Sequence, residues 1–240
     1  MTAIKSLTLK DIAESVLAAF SLLKAYPLRW LGFALLFLLC VEPLMFIPYV
    51  GFAIKLALSS IFAAQMLKLG SEAAAHKAPS VKTLLAAFKI SPPKLTLLVL
   101  TTWIMFAIGI AWLWFIDGDA SVNYFFGNIL VDTAPSTRSF AEFKLVLFAA
   151  GTLFSFVAPV IVLTPTPSTD VLPLAFKAAI ANVPLIVVSL VIDAGFELAT
   201  IQLGLMGGIG AALSLGLLLL SVMWGFVFAY TSSSRVLDSF

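Results

Sequence analysis

Four ionisable side chains interrupt otherwise apolar stretches of this chain: Glu42, Lys55, Asp193 and Glu197. A charge in such a setting is costly unless it is paired, faces an interior or reaches water, so each is a candidate for chemistry. Glu42 and Lys55 stand about six residues either side of a predicted turn at Pro48-Tyr49-Val50-Gly51, roughly 10 Å from it at the helical rise. On antiparallel helices they are expected to meet as an ion pair. Asp193 and Glu197 are spaced i, i+4, so they share one helix face and each disfavours ionisation of the other. The same counting places Glu197 at a depth within reach of Glu42 or Lys55, and Asp193 nearer the middle. The four are therefore expected to gather in one polar cluster with at least one carboxyl protonated near neutral pH. Three uses fit such a cluster: a proton relay, a pocket for a cationic or polar ligand, or a polar network that keeps the helices in register.

Other chemistry finds little support in the residue types. His76 is the only histidine and lies in a polar connection with Glu72 and Lys77, so no metal-ligand cluster forms and no metal is expected. Cys40 is alone and reads as a packing or lipid-facing residue. No Ser/His/Asp set or basic phosphate cradle is present, which argues against an enzyme, a catalytic residue or a cofactor. The glycines from Gly204 to Gly210 follow no strand and make no nucleotide fingerprint. Thr164-Pro165-Thr166-Pro167-Ser168-Thr169 makes a stiff polar connection instead of a site. A net charge of +2 argues against a nucleic-acid partner.

The elements that must position these residues follow from composition. In 240 residues, 62% are apolar, 11% are charged and the mean hydropathy is +1.12, far from the roughly 25% charged of a soluble domain. The chain reads as an all-α, multi-pass membrane bundle forming one domain over 1–240. Apolar runs at about 30–47, 50–67, 95–116, 145–164, 184–203 and 207–230 each approach the length that crosses hydrocarbon. The first is expected to be a retained span and not a cleaved leader, because a patterned segment of 29 residues precedes it. Gly204, Gly207 and Gly208 supply a turn between the last two runs. Pro159 is expected to kink or break the fourth, with Thr152 or Ser155 re-satisfying a freed carbonyl. With the amino terminus in the cytoplasm, eleven of the fourteen basic residues fall inside and only Lys55, Arg138 and Lys144 outside, so both termini are expected to be cytoplasmic. Trp30, Trp112, Trp114, Tyr49 and Tyr230 are expected at span ends, Trp103 and Trp224 in the packing.

A threefold repeat is also visible. Val16-Leu17-Ala18-Ala19-Phe20, Leu84-Leu85-Ala86-Ala87-Phe88-Lys89 and Leu172-Pro173-Leu174-Ala175-Phe176-Lys177 align, each followed by proline at Pro27, Pro92 with Pro93, or Pro184. Pro79-Ser80 and Pro167-Ser168 suit helix starts with serine as cap. The first copy carries a stripe of Leu9, Ile12, Ala13, Val16, Leu17, Phe20 and Leu23, with Thr8 and Asp11 as a capping pair. It is expected to lie along the cytoplasmic interface or to roof the bundle. The units, about 8–70, 80–164 and 168–232, each consist of an interfacial amphipathic helix and a hairpin of two transmembrane helices.

The segment leading into Tyr26-Pro27-Leu28-Arg29-Trp30, the Pro48–Gly51 turn, and Leu172 to Asn182 running into Val183-Pro184-Leu185 resemble an uncharacterised bacterial family of six-span inner-membrane proteins. More remotely they are similar to the membrane domain fused to some glycerophosphodiester phosphodiesterases. The resemblance implies the fold and a bacterial inner-membrane location, and brings no catalytic residues with it.

Gly204, Gly208, Ala212 and Gly216 recur every four residues and are expected to let another helix approach, within the chain or between copies. The outer connection 117–142 carries Tyr124-Phe125-Phe126 and Ile129-Leu130-Val131, apolar enough to dip into lipid or to dock on a partner. The expected function is a non-enzymatic accessory or scaffold subunit binding lipids or other membrane subunits. The alternative is a small transporter or lipid-handling protein whose site is the four-charge cluster.

Overall fold

A computed structural model describes residues 4–47, 50–85, 90–126 and 136–237. Among these there is no strand. The helices are α1 (Leu9–Ala25), α2 (Pro27–Val41), α3 (Gly51–Ala74), α4 (Val81–Leu85), α5 (Pro92–Asp117), α6 (Asp119–Phe125), α7 (Thr137–Phe154), α8 (Val157–Leu163), α9 (Val171–Ala181), α10 (Val183–Leu205) and α11 (Gly208–Val236). Six stretches are long and apolar enough to cross a membrane: Pro27–Leu44, Gly51–Ala74, Pro92–Asp117, Glu142–Leu163, Val183–Leu205 and Gly208–Val236. By length and composition the chain is a multi-pass integral membrane protein.

Prolines and glycines set the breaks. Pro43 cannot donate to the carbonyl four residues back, so α2 stops at Val41 and a 3₁₀ turn over Glu42–Phe46 follows. Pro159 acts likewise on the fourth span, which divides at Ser155–Phe156 into α7 and α8. There the Ser155 hydroxyl donates to the Thr152 carbonyl and the Thr152 hydroxyl to that of Phe148, each at 2.9 Å. Gly207, at φ 69°, opens the tight α10–α11 turn. His76 adopts φ 57° just beyond α3. Its amide donates to the Ala73 carbonyl and that of Lys77 to Glu72, the paired bonds of a Schellman cap. The lone histidine is thus a helix terminator.

The first and last described segments of the chain meet at one end of the bundle. The Lys5 amide donates to the Val236 carbonyl at 2.8 Å, and Arg235 pairs with Glu14 at 2.8 Å. Asn182, fully buried at the elbow between α9 and α10, makes the central clamp. Its carbonyl accepts the Leu7 amide at 2.8 Å, and its amide group donates to the Lys5 and Ala178 carbonyls at 3.0 Å. Buried Thr231 donates to the Ser15 carbonyl, Trp30 to that of Leu22, and Arg29 to that of Pro79. Thr8 and Asp11 form the expected capping box on α1. The Thr8 hydroxyl foremost, then the Lys5 ammonium and the Thr8 amide, hold the Asp11 carboxyl well below the usual carboxylate range.

Some expectations change. On α1 the face against the protein is Ile12, Ser15, Ala19 and Leu23, whereas Leu9 and Leu17 are exposed and Phe20, also exposed, lays its ring against buried Trp224 of α11 at 4.7 Å between centroids. The stripe read from sequence therefore straddles two environments. Ser168 does not cap α9; it opens a 3₁₀ turn over Ser168–Asp170 that precedes it. Trp30 and Tyr230 lie near span ends as expected but are buried in the core, and Trp103, expected in the packing, is exposed. Residues 86–89 of the second repeat motif, Pro48-Tyr49 of the first turn and Ile129-Leu130-Val131 lie outside the described residues.

Packing is strongly asymmetric along the spans. The main core takes Trp30 and Phe33 from the start of the first span, Met66 and Leu69 from the end of the second, Val157 to Ile161, Leu185 and Ile186, and Trp224 to Val236. All of these lie in the half nearest the termini. The far half holds a smaller cluster of Phe106, Leu113 and Phe143 between α5 and α7. No described residue from Val187 to Leu205 is buried, and between Gly208 and Met223 only Gly210 is. The far ends of α10 and α11 thus pack on each other and on little else.

Candidate functional site

The structure brings the four intramembrane charges together in part. The 3₁₀ turn after α2 turns the Glu42 carboxylate toward α3, where the Lys55 ammonium donates to it at 2.8 Å. Glu197 does not join them. Its partner is Lys144, one of the few basic residues at the far end of the bundle, reaching across from α7. The helix order explains this: α10 packs mainly on α11 and makes smaller contacts with α1, α7 and α9, so α7 is the neighbour that can offer a cation at that level. Instead of one cluster of four there are two separate acid–base pairs. All four partners retain some exposure, Lys55 the least.

Asp193 is left over. It is the eleventh of the twenty-three residues of α10 and is exposed on the helix surface, with no hydrogen-bond or ion-pair partner among the described residues. The residues one turn further along α7, Leu147 and Phe148, bring no polar atom, and α11 carries no charge before Arg235. A carboxyl placed at the centre of a spanning helix costs about 2.5–3.5 kcal/mol to insert. Asp193 and Glu197 edge a groove of about 310 Å³ between α10 and α11, which Thr200, Leu218 and Ser221 also line. The hydroxyls of Thr200 and Ser221 donate to carbonyls of their own helices, leaving oxygen lone pairs toward the groove.

Two further features escaped the sequence reading. Gln65 is buried in α3, and its side-chain carbonyl meets no donor among the described residues. A single amide in an apolar run gives no periodic signal, so only the three-dimensional packing exposes it. The second feature is a nearly wholly apolar cavity of about 390 Å³ between α3 and α5, covered by α6. Phe52, Trp103, Phe106, Trp114 and Phe126 line it, with the Trp103 indole donating to the Ala53 carbonyl at 3.1 Å.

The small-residue stripe has a different place from the intramolecular one considered above. Gly204, Gly208, Ala212 and Gly216 are exposed, and a methyl added at Gly208 or Gly216 would meet nothing within 4 Å. Close approach occurs instead at Gly70, whose added methyl would lie 2.5 Å from the Tyr230 ring, and at Gly109, 2.6 Å from Leu147. Among the described residues no group of His, Cys, Asp or Glu could hold a metal ion. Comparison with known proteins yields no matching family model, no matching curated protein and no matching solved structure.

Proposed function

We propose that this chain is a non-enzymatic accessory or scaffold subunit of a bacterial inner membrane, with both termini in the cytoplasm, and that it binds other membrane proteins or lipids through its lateral faces. The observation that carries this reading is the uncovered far half of the α10–α11 hairpin, which has almost no buried residue and, beyond the Lys144–Glu197 pair, is held to its own bundle mainly near the termini. The division of the intramembrane charges into separate pairs also supports it, because a transport path is better served by groups facing one cavity. The orientation rests on the positive-inside count, and the membrane on the family resemblance. Three units of interface helix plus hairpin complete the reading. The elbows Tyr26-Pro27 and Asn182-Val183-Pro184, each with proline in the first helical turn, support two of them.

A second reading, a lipid-handling or small transport protein, draws support from the 390 Å³ apolar cavity, a size that accommodates part of an acyl chain. Native gel analysis after mild detergent extraction, together with proton and fluorescent-lipid flux in liposomes, separates the two. The accessory reading expects the chain in an assembly with other membrane polypeptides at constant stoichiometry, and no flux from the chain alone. Flux by the purified chain that falls in the Asp193→Leu, Glu197→Leu double variant would contradict it.

A further inference from the structure

We infer that the α10–α11 face around Asp193 is the seat of a partner transmembrane helix carrying a basic residue, lysine or arginine, at the level of the bilayer centre. The inference rests on the accessory-subunit reading and names the partner's chemistry. Asp193 lies about 15 Å from one end of α10 and about 18 Å from the other at the helical rise, so it can reach neither membrane surface. It is exposed, and among the described residues nothing in its own chain answers it. The same helix shows what an answer looks like: one turn nearer the far end, Glu197 is matched by Lys144. Asp193 repeats that arrangement on the same face without the cation.

A second copy of this chain is a poorer occupant. Its span cations are Arg29, Lys55, Lys68, Lys94, Lys144 and Arg235, and every one lies within about two turns of a span end. Lys55 and Lys144 are in addition already engaged. Lipid alone covers the neighbouring Val187, Val191, Leu198 and Leu213 well, since they are apolar, but offers the carboxylate no donor at that depth. A helix with a central ammonium or guanidinium supplies both the apolar cover and the charge, and the groove hydroxyls of Thr200 and Ser221 can accept its remaining protons.

The test uses the full chain reconstituted in phosphatidylcholine–phosphatidylglycerol vesicles with two single-span probe peptides of leucine and alanine, one with a central lysine and one with leucine there. Energy transfer between labels on the protein's amino terminus and on the peptide reports association. The lysine peptide is expected to associate at least about tenfold more strongly than the leucine peptide. Asp193→Leu should bring the two within about twofold, and Glu42→Gln should leave the preference intact. Asp193→Asn, which keeps the side-chain shape, serves where the leucine variant does not fold, and should remove most of the preference. Equal association of the two peptides, a preference that survives loss of the Asp193 charge, association of neither peptide (lipid cover only), or self-association that excludes both (a second copy) would each overturn the inference. If neither peptide binds but the Asp193→Asn chain keeps its native assembly, the docking face is wrong and the accessory reading stands. A chain found alone in its native membrane removes that reading and this inference with it.

Discussion

The half of the bundle beside the termini and the half furthest from them are built from the same six spans yet held in different ways. Near the termini, aromatic and aliphatic side chains interlock, and polar groups such as Asn182, Thr231 and Ser15 are buried with partners. In the far half α10 and α11 bury almost no residue, the acidic side chains Glu42 and Glu197 meet their cations as partly exposed ion pairs, and large apolar residues such as Ile209 and Leu205 are exposed. In water the second pattern would signal misfolding. In hydrocarbon an exposed leucine costs nothing, so the polar exceptions become the informative residues. The contrast teaches that the elbows and termini hold this molecule together, while the far half leaves its surface for other components.

Substitutions at matched positions in the two halves can break this comparison. The largest difference is expected between two tryptophans. Trp30→Ala removes a fully buried ring and its bond to Leu22 and should cost about 3–5 kcal/mol, against about 1 kcal/mol or less for exposed Trp114→Ala, as read by unfolding in mild detergent. Equal losses would erase the distinction. Next comes Asn182→Ala, which strands the buried Leu7 amide and two carbonyls. A loss of about 3 kcal/mol is expected, with faster proteolysis of the amino-terminal segment; a loss under about 0.5 kcal/mol would show that the clamp is incidental.

Glycines extend the comparison to smaller effects. Gly70→Ala presses on Tyr230 and should destabilise by about 1–3 kcal/mol. Gly216→Ala meets open space and should be neutral or stabilise slightly through helix propensity. The smallest effect concerns pH at the terminal half. Asp11 has a folded-state pKa below its unfolded one, so its contribution is complete above about pH 4 and fades as the pH falls further. Unfolding followed from neutral to acid pH should show that fading component in the parent chain and not in Asp11→Asn; identical profiles would remove Asp11 from the account.

Much of the axial layout was legible in the sequence. Apolar run lengths located six spans, Pro159 marked the break in the fourth, Gly207 the last turn, and residue counting from the turn put Glu42 opposite Lys55. What the sequence hid is azimuth, the direction in which each helix faces. A helix apolar all round gives no stripe to orient it, so nothing indicated that α10 turns Glu197 toward Lys144 and away from Lys55. The outward facing of the Gly204–Gly216 stripe was hidden for the same reason. Asn182 was visible only as a polar residue at an elbow, because its role depends on Leu7 and Lys5, some 175 residues away in the chain.

Hydrogen exchange resolved along α11 of the isolated protein is the most direct test, since this single helix runs through both halves. Amides of residues 224–236, under the terminal network, are expected to exchange at least about tenfold more slowly than those of 212–222, where the helix packs on little beyond α10. Uniform protection from one end of α11 to the other would contradict the division of the molecule into a tightly held half and an open one.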